Sequence, residues 1–169
     1  MLQKLFKVFL FITVFNFLFN SIYAEEKTFR DGKEWKELNF GLIKATQGGK
    51  LEKVKDLLGR GAIVKTKNRF GNTALHYAAR NNHIEIFNVL IKAGAQHDLP
   101  SLANKTPFLE ALMAGNEEIA NILLDLGVNV NIEDNDNMTA VTAAAYNGLH
   151  SICQKIIKYG AIIDKPDIS

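Results

Sequence analysis

A spacing of 33 residues constrains this chain more than any other feature. Thr73, Thr106 and Thr139 are 33 apart. So are Gly61, Gly94, Gly127 and Gly160, and so are Gly49, Asn82, Gly115 and Gly148. Three independent series in step over three or four periods predict a stacked array of one supersecondary unit. Such a unit cannot bury both of its faces alone, so its stability comes from its neighbours.

Within each period the residues read as two short helices and a connecting turn. Thr73, Thr106 and Thr139 are N-cap candidates, whose hydroxyl oxygen can accept from the free N–H groups of the first helical turn. Pro107 follows Thr106 at the first helical position, where its missing N–H costs nothing. The first helices are expected at 74–81, 107–114 and 140–147. Ala78, Ala79, Ala111, Ala144 and Ala145 allow these helices to stack closely. Gly115, Gly148 and, by its tolerance of the left-handed region, Asn82 end them. The second helices carry apolar stripes at helical spacing, Ile86, Val89 and Leu90 in one and Ile119, Ile122 and Leu123 in the next. Gly61, Gly94, Gly127 and Gly160 close them, and fingers follow at 65–72, 98–105 and 131–138.

Three units read GNTALHYAARNNHIEIFNVLIKAGAQHD, NKTPFLEALMAGNEEIANILLDLGVNVN and NMTAVTAAAYNGLHSICQKIIKYGAIID. They resemble the ankyrin repeat, with its T-P-L-H-x-A-A start, N-G-H turn, aliphatic run and G-A-D-x-N close. A first unit, LNFGLIKATQGGKLEKVKDLLGRGAIVK, matches in its second half but has Phe40 where the Thr belongs. The resemblance covers residues 38–164 and implies an all-α ankyrin-repeat solenoid of about four helix-turn-helix units joined by β-turn fingers. Unit boundaries fall at about 38–70, 71–103, 104–136 and 137–169, with 165–169 a frayed tail. Gly71 keeps the family's finger glycine, whereas Asn104 and Asn137 replace it. Trp35, Leu38, Phe40, Leu42 and Ile43 fit a modified N-terminal cap, and a helix at 150–159 with Lys155, Lys158 and Tyr159 fits a more polar C-terminal one. Residues 25–37 read as a polar linker.

The first 24 residues differ from the rest. Six of the eleven Phe residues lie there, Lys4 and Lys7 precede the apolar run Val8 to Phe19, and Asn20, Ser21 and Ala24 follow it. This is the pattern of a secretory signal peptide with cleavage after Ala24, although Ile22 is bulky for the −3 position. The alternative is an uncleaved anchor, for which the run is short. Removing Lys4 and Lys7 from the 20 basic residues makes them equal to the 18 acidic ones, so the mature chain is neutral. Neutrality argues against general nucleic-acid or membrane-surface binding, which needs surplus Lys and Arg. The lean toward Lys, Asn, Ile and Phe points to an AT-rich coding sequence and a bacterial source. A periplasmic or secreted location is expected.

Candidate chemistry is sparse. His76 and His83 occupy the histidines of T-P-L-H and N-G-H, which implies structural roles. His150 and Cys153 share a helix face, but two ligands do not make a zinc site. Cys153, the one cysteine, excludes an intramolecular disulfide and reads as a small buried hydrophobe. Glu133, Asp134 and Asp136 lack the Gly and distal Glu of a calcium loop and read as a solvated finger. No catalytic residue, metal or cofactor is expected.

The resemblance instead implies a protein partner docking on finger tips and exposed first-helix positions, on the concave side. Carried over by position, that surface holds Arg69, Phe70, Asn72 and Arg80; then Leu102, Ala103, Lys105 and Met113; then Asn135, Asp136, Met138 and Tyr146. Aromatic, Met and Arg side chains of this kind favour interface cores. Lys65, Lys67 and Arg69 on the first finger against Glu133, Asp134 and Asp136 on the third predict a charge gradient. A non-enzymatic, monomeric binding module is expected. The alternative is a membrane-tethered scaffold with an uncleaved N-terminal anchor.

Overall fold

The computed structural model describes residues 32–162, apart from the side chain of Lys33. The segment 1–24, most of the linker and the tail beyond Ile162 lie outside the described residues. Eight helices are found among those described: α1 Lys33–Gln47, α2 Leu51–Gly59, α3 Ala74–Arg80, α4 Ile84–Lys92, α5 Pro107–Met113, α6 Glu117–Asp125, α7 Ala140–Tyr146 and α8 His150–Lys158. The chain divides at Leu38 into an N-terminal unit and a repeat unit from Asn39 onward, and α1 runs across that boundary.

In the repeat unit the helices form two layers. The first helices α3, α5 and α7 stack on one another in sequence, and α2, α4, α6 and α8 form a second row behind them. The core lies between the rows. Leu75, Phe87, Leu90, Phe108, Leu109, Leu112, Ile119, Leu123, Ile152 and Ile156 fill it, and Ala78, Ala79, Ala111 and Ala144 let the first helices approach.

The 33-residue series takes the expected conformations. Thr106 and Thr139 accept from Leu109 N–H at 3.3 Å and Thr142 N–H at 3.2 Å. The finger turn needs positive φ, and Gly71, Asn104 and Asn137 supply it at +77°, +57° and +61°. At Gly71 a second constraint is added, because a Cβ there would lie 2.6 Å from Leu102 N.

The first unit departs from this pattern. Phe40 cannot cap a helix, so α1 runs for 15 residues rather than the seven of α3, α5 and α7. Its start at Lys33 corrects the expectation of a linker through residue 37. Residues 33–37 are helical, as the sequence KEWKE favours.

Side-chain amides tie unit to unit. Asn81 Nδ2 donates to Gln47 O at 3.0 Å, Asn116 Nδ2 to Ala79 O at 2.7 Å, and Asn147 Nδ2 to Leu112 O at 2.9 Å. Each reaches a carbonyl at the end of the preceding first helix, where the helical hydrogen-bond ladder runs out.

Candidate functional site

The fingers are built as closed turns. Asn68 Oδ1 accepts from Phe70 N–H at 2.9 Å and Asn72 N–H at 3.0 Å. Asp134 Oδ1 accepts from Asp136 N–H and Met138 N–H, both at 2.9 Å. Ser101 Oγ accepts from Lys105 N–H at 3.2 Å. Asn68, Ser101 and Asp134 thus form a further series at the repeat spacing, which the same test on the sequence could have found.

These turns sort the expected binding residues into two groups. The registers 69, 102, 135 and 70, 103, 136 lie at the exposed tips. Phe70 is 54% exposed and Leu102 74% exposed. The register 72, 105, 138 turns inward, because its N–H groups close the turn. Asn72 is buried, and Lys105 and Met138 are half-buried. These three are therefore poor contact residues. Lys105 Nζ lies 3.5 Å from Asp134 Oδ2, and Met138 Sδ accepts from the Thr142 hydroxyl at 3.3 Å.

Neighbouring tips are joined through the backbone. Leu102 N–H donates to Phe70 O at 3.0 Å and Asn135 N–H to Ala103 O at 3.1 Å. Asn135 Nδ2 also donates to Leu102 O at 3.1 Å. The Arg69 guanidinium stacks over the Phe70 ring, 4.7 Å from its centroid.

The first helices contribute one more register, Arg80, Met113 and Tyr146. Tyr146 is 88% exposed and Met113 36%. Arg80 is committed internally: its Nε donates to Glu110 Oε2 at 2.7 Å, and its second nitrogen also meets that carboxylate. The carboxylate partner raises the Arg80 pKa further. Glu110 is buried and was not expected from the sequence. The pair spans 30 residues, the repeat less one helical turn, so the spacing carried a signal.

The tempting catalytic group is a structural tie. His76 Nδ1 accepts from Thr73 N–H at 3.1 Å and lies 2.9 Å from the Thr73 hydroxyl. The ring proton is therefore on Nε2, which donates to Lys105 O at 3.0 Å and so links α3 to the next finger. Burial pushes its pKa down from 6.5 to about 4, which keeps it neutral and able to accept on one side and donate on the other. His83 rests on Gly49, where a Cβ would come within 2.9 Å of its ring.

The acidic finger is also more structural than expected. Asp134 is buried rather than solvated, which leaves Asp136 as the exposed carboxylate of that tip. The predicted gradient is correspondingly weaker at its acidic end. Cys153 is half-buried, not buried, and its counterpart one repeat earlier, Ala120, is fully covered. Among the described residues, no three His, Cys, Asp or Glu are grouped to hold a metal.

Two rows of short helices, closed fingers at 33-residue spacing and the His76 tie characterise the repeat unit. The family model described as ankyrin repeats (3 copies) matches residues 14–101, 42–134 and 96–167. The chain belongs to the ankyrin-repeat family.

Similar proteins include an ankyrin repeat domain-containing protein of Stachybotrys chartarum, 35% identical over 96 residues, which are 57% of this chain and 5% of that one. A transient receptor potential cation channel subfamily A member 1 homolog of Caenorhabditis elegans is 32% identical over 127 residues, 75% of this chain and 10% of the channel. A palmitoyltransferase of Mus musculus is 32% identical over 104 residues, 61% of this chain and 17% of its own length. The ankyrin-repeat chain thus spans 5%, 10% and 17% of the lengths of these three relatives. Ankyrin repeats are in general protein–protein interaction modules.

Proposed function

We propose that this protein is an exported, non-enzymatic binding module that holds a partner protein on its finger tips and first-helix face. One observation carries the reading. Phe70, Leu102, Met113 and Tyr146 are large apolar or aromatic side chains left exposed at the finger tips and on the first helices, and Leu102 and Tyr146 are more exposed than Leu126 or Ile157 of the second row. Aromatic anchors on a preorganised scaffold are what tight protein contacts use, since little side-chain or backbone freedom remains to be lost. The titratable groups nearby are tied into structure: Glu110 to Arg80, Asp134 to Lys105, His76 to Thr73 and Lys105 O. That arrangement holds shape and activates no nucleophile.

Crosslinking pull-down from the source organism, read by mass spectrometry, tests this with the wild-type protein and a Phe70→Ala/Tyr146→Ala variant. Neither side chain is buried, so the variant keeps its helical signal and loses the captured partner. Equal capture by a folded variant would remove the face from the account.

Export rests on the composition of residues 1–24, with their cationic start, apolar run and small-residue close. We place the mature protein in the periplasm or outside the cell of a bacterial source. Sequencing the N-terminus of the native protein gives Glu25 as its first residue under this reading. An intact Met1 in a membrane fraction would support the tethered scaffold instead.

A further inference from the structure

We propose that the joined tips of the first two fingers recognise a partner segment with an apolar anchor flanked by carboxylates. The inference rests on the protein-binding reading above and adds the chemistry of the partner.

Three observations carry it. First, the apolar edge is continuous across two units. The 3.0 Å bond from Leu102 N–H to Phe70 O fixes these residues side by side, and the absent side chain of Gly71 permits that approach. Second, cations flank the edge. Arg69 lies over Phe70, and Lys67 Nζ is held at 2.8 Å by Pro100 O, a neutral acceptor that leaves its charge uncompensated. Lys65 is exposed on the same finger. Among the described residues, no carboxylate lies within ion-pair distance of these three cations. Third, the nearby carboxylates have other partners: Glu110 is held by Arg80, Asp134 by Lys105, and Asp98 of the second finger lies against His97. The tip therefore offers a positively charged rim around an apolar centre, complementary to an acidic segment with a Leu, Phe or similar anchor.

A flat anionic membrane fits less well. Asp136 stands in the register of Phe70 on the third finger, so a plane that meets Phe70 also meets a carboxylate. A peptide can follow two fingers and stop.

Panning a random peptide display library against the full-length protein is the test. Selected sequences are expected to combine Asp or Glu with Leu, Ile or Phe. Their binding should fall about tenfold or more on Phe70→Ala or Leu102→Ala, and with added salt. A Lys67→Glu/Arg69→Glu variant should reverse the preference toward Lys and Arg. Selection of basic or charge-indifferent peptides, or of none, overturns the inference. Binders that ignore these variants but are lost on Tyr146→Ala overturn it while leaving the protein-binding face standing. Co-sedimentation of the protein with phosphatidylglycerol vesicles, abolished by Phe70→Ala, would assign the tip to a lipid surface and likewise overturn it.

Discussion

Leu75, His76 and Ala79 on α3 are buried, whereas their counterparts on α7, Val141, Thr142 and Ala145, are half-buried or exposed. The same template gives two outcomes because the forward face of each unit is covered by the next. On α5, which packs against α7, Phe108, Leu109 and Leu112 are fully buried. On α7 no described element plays that part, and the residues there are smaller or more polar. The second row shows the same change: Leu124 is buried and its counterpart Ile157 is 44% exposed. At the opposite end α2 carries the exposed ion pairs Lys53–Asp56 and Lys55–Glu52. Such pairs add little stability but suit a solvated face. Stability in this molecule is therefore a property of interfaces between units more than of the units themselves.

The largest test of that contrast is a matched pair of truncations. Phe108→Ala should destabilise by about 3–5 kcal/mol through a buried cavity, and Val141→Ala by about 1 kcal/mol. Urea unfolding of the two variants measures the difference, and equal losses would break the comparison.

His76 and Thr142 occupy the same position in the second and fourth units, and only His76 brings a pH dependence. Its folded pKa of about 4 lies below the unfolded value of 6.5. Its contribution is then fully present above pH 6.5 and is lost as the pH falls toward 4. The difference amounts to about 3 kcal/mol. The stability gap between wild type and His76→Gln should shrink by that amount over this window, as followed by chemical denaturation. A pH-independent gap would contradict the neutral tie between Thr73 and Lys105.

A smaller contrast lies in the finger turns. Gly71→Ala should cost about 2 kcal/mol, because the left-handed backbone and the close approach of Leu102 N both oppose a Cβ. Asn137→Ala meets only the backbone penalty, about 1 kcal/mol. Thermal unfolding of the two variants ranks them.

Much of this fold was legible in the spacing. The threonine caps, the left-handed Asn and Gly positions and the ends of the short helices follow from residues that have few alternatives at those places. The inward turn of Asn72, Lys105 and Met138 was not, because it depends on a side chain four residues earlier accepting their N–H groups. The Arg80–Glu110 pair was missed for a related reason: it joins different units, and a reading one unit at a time does not bring them together. The start of α1 at Lys33 was hidden by polarity, since a solvated helix and a linker share their composition. Of the proposed face, the exposure of Phe70, Leu102 and Tyr146 was readable by position. The pairing of Lys105 with Asp134 was readable only in three dimensions, whereas that of Arg80 with Glu110 left a trace in the spacing.

The most direct measurement is a crosslinking map in the source cells. A photoreactive phenylalanine replaces Phe70, Leu102 or Tyr146 on the proposed face, or Leu126 at the exposed end of a second-row helix. The account predicts one common partner at the first three positions and none at Leu126. Capture of that partner at Leu126 with nothing at Phe70 and Leu102 would contradict it.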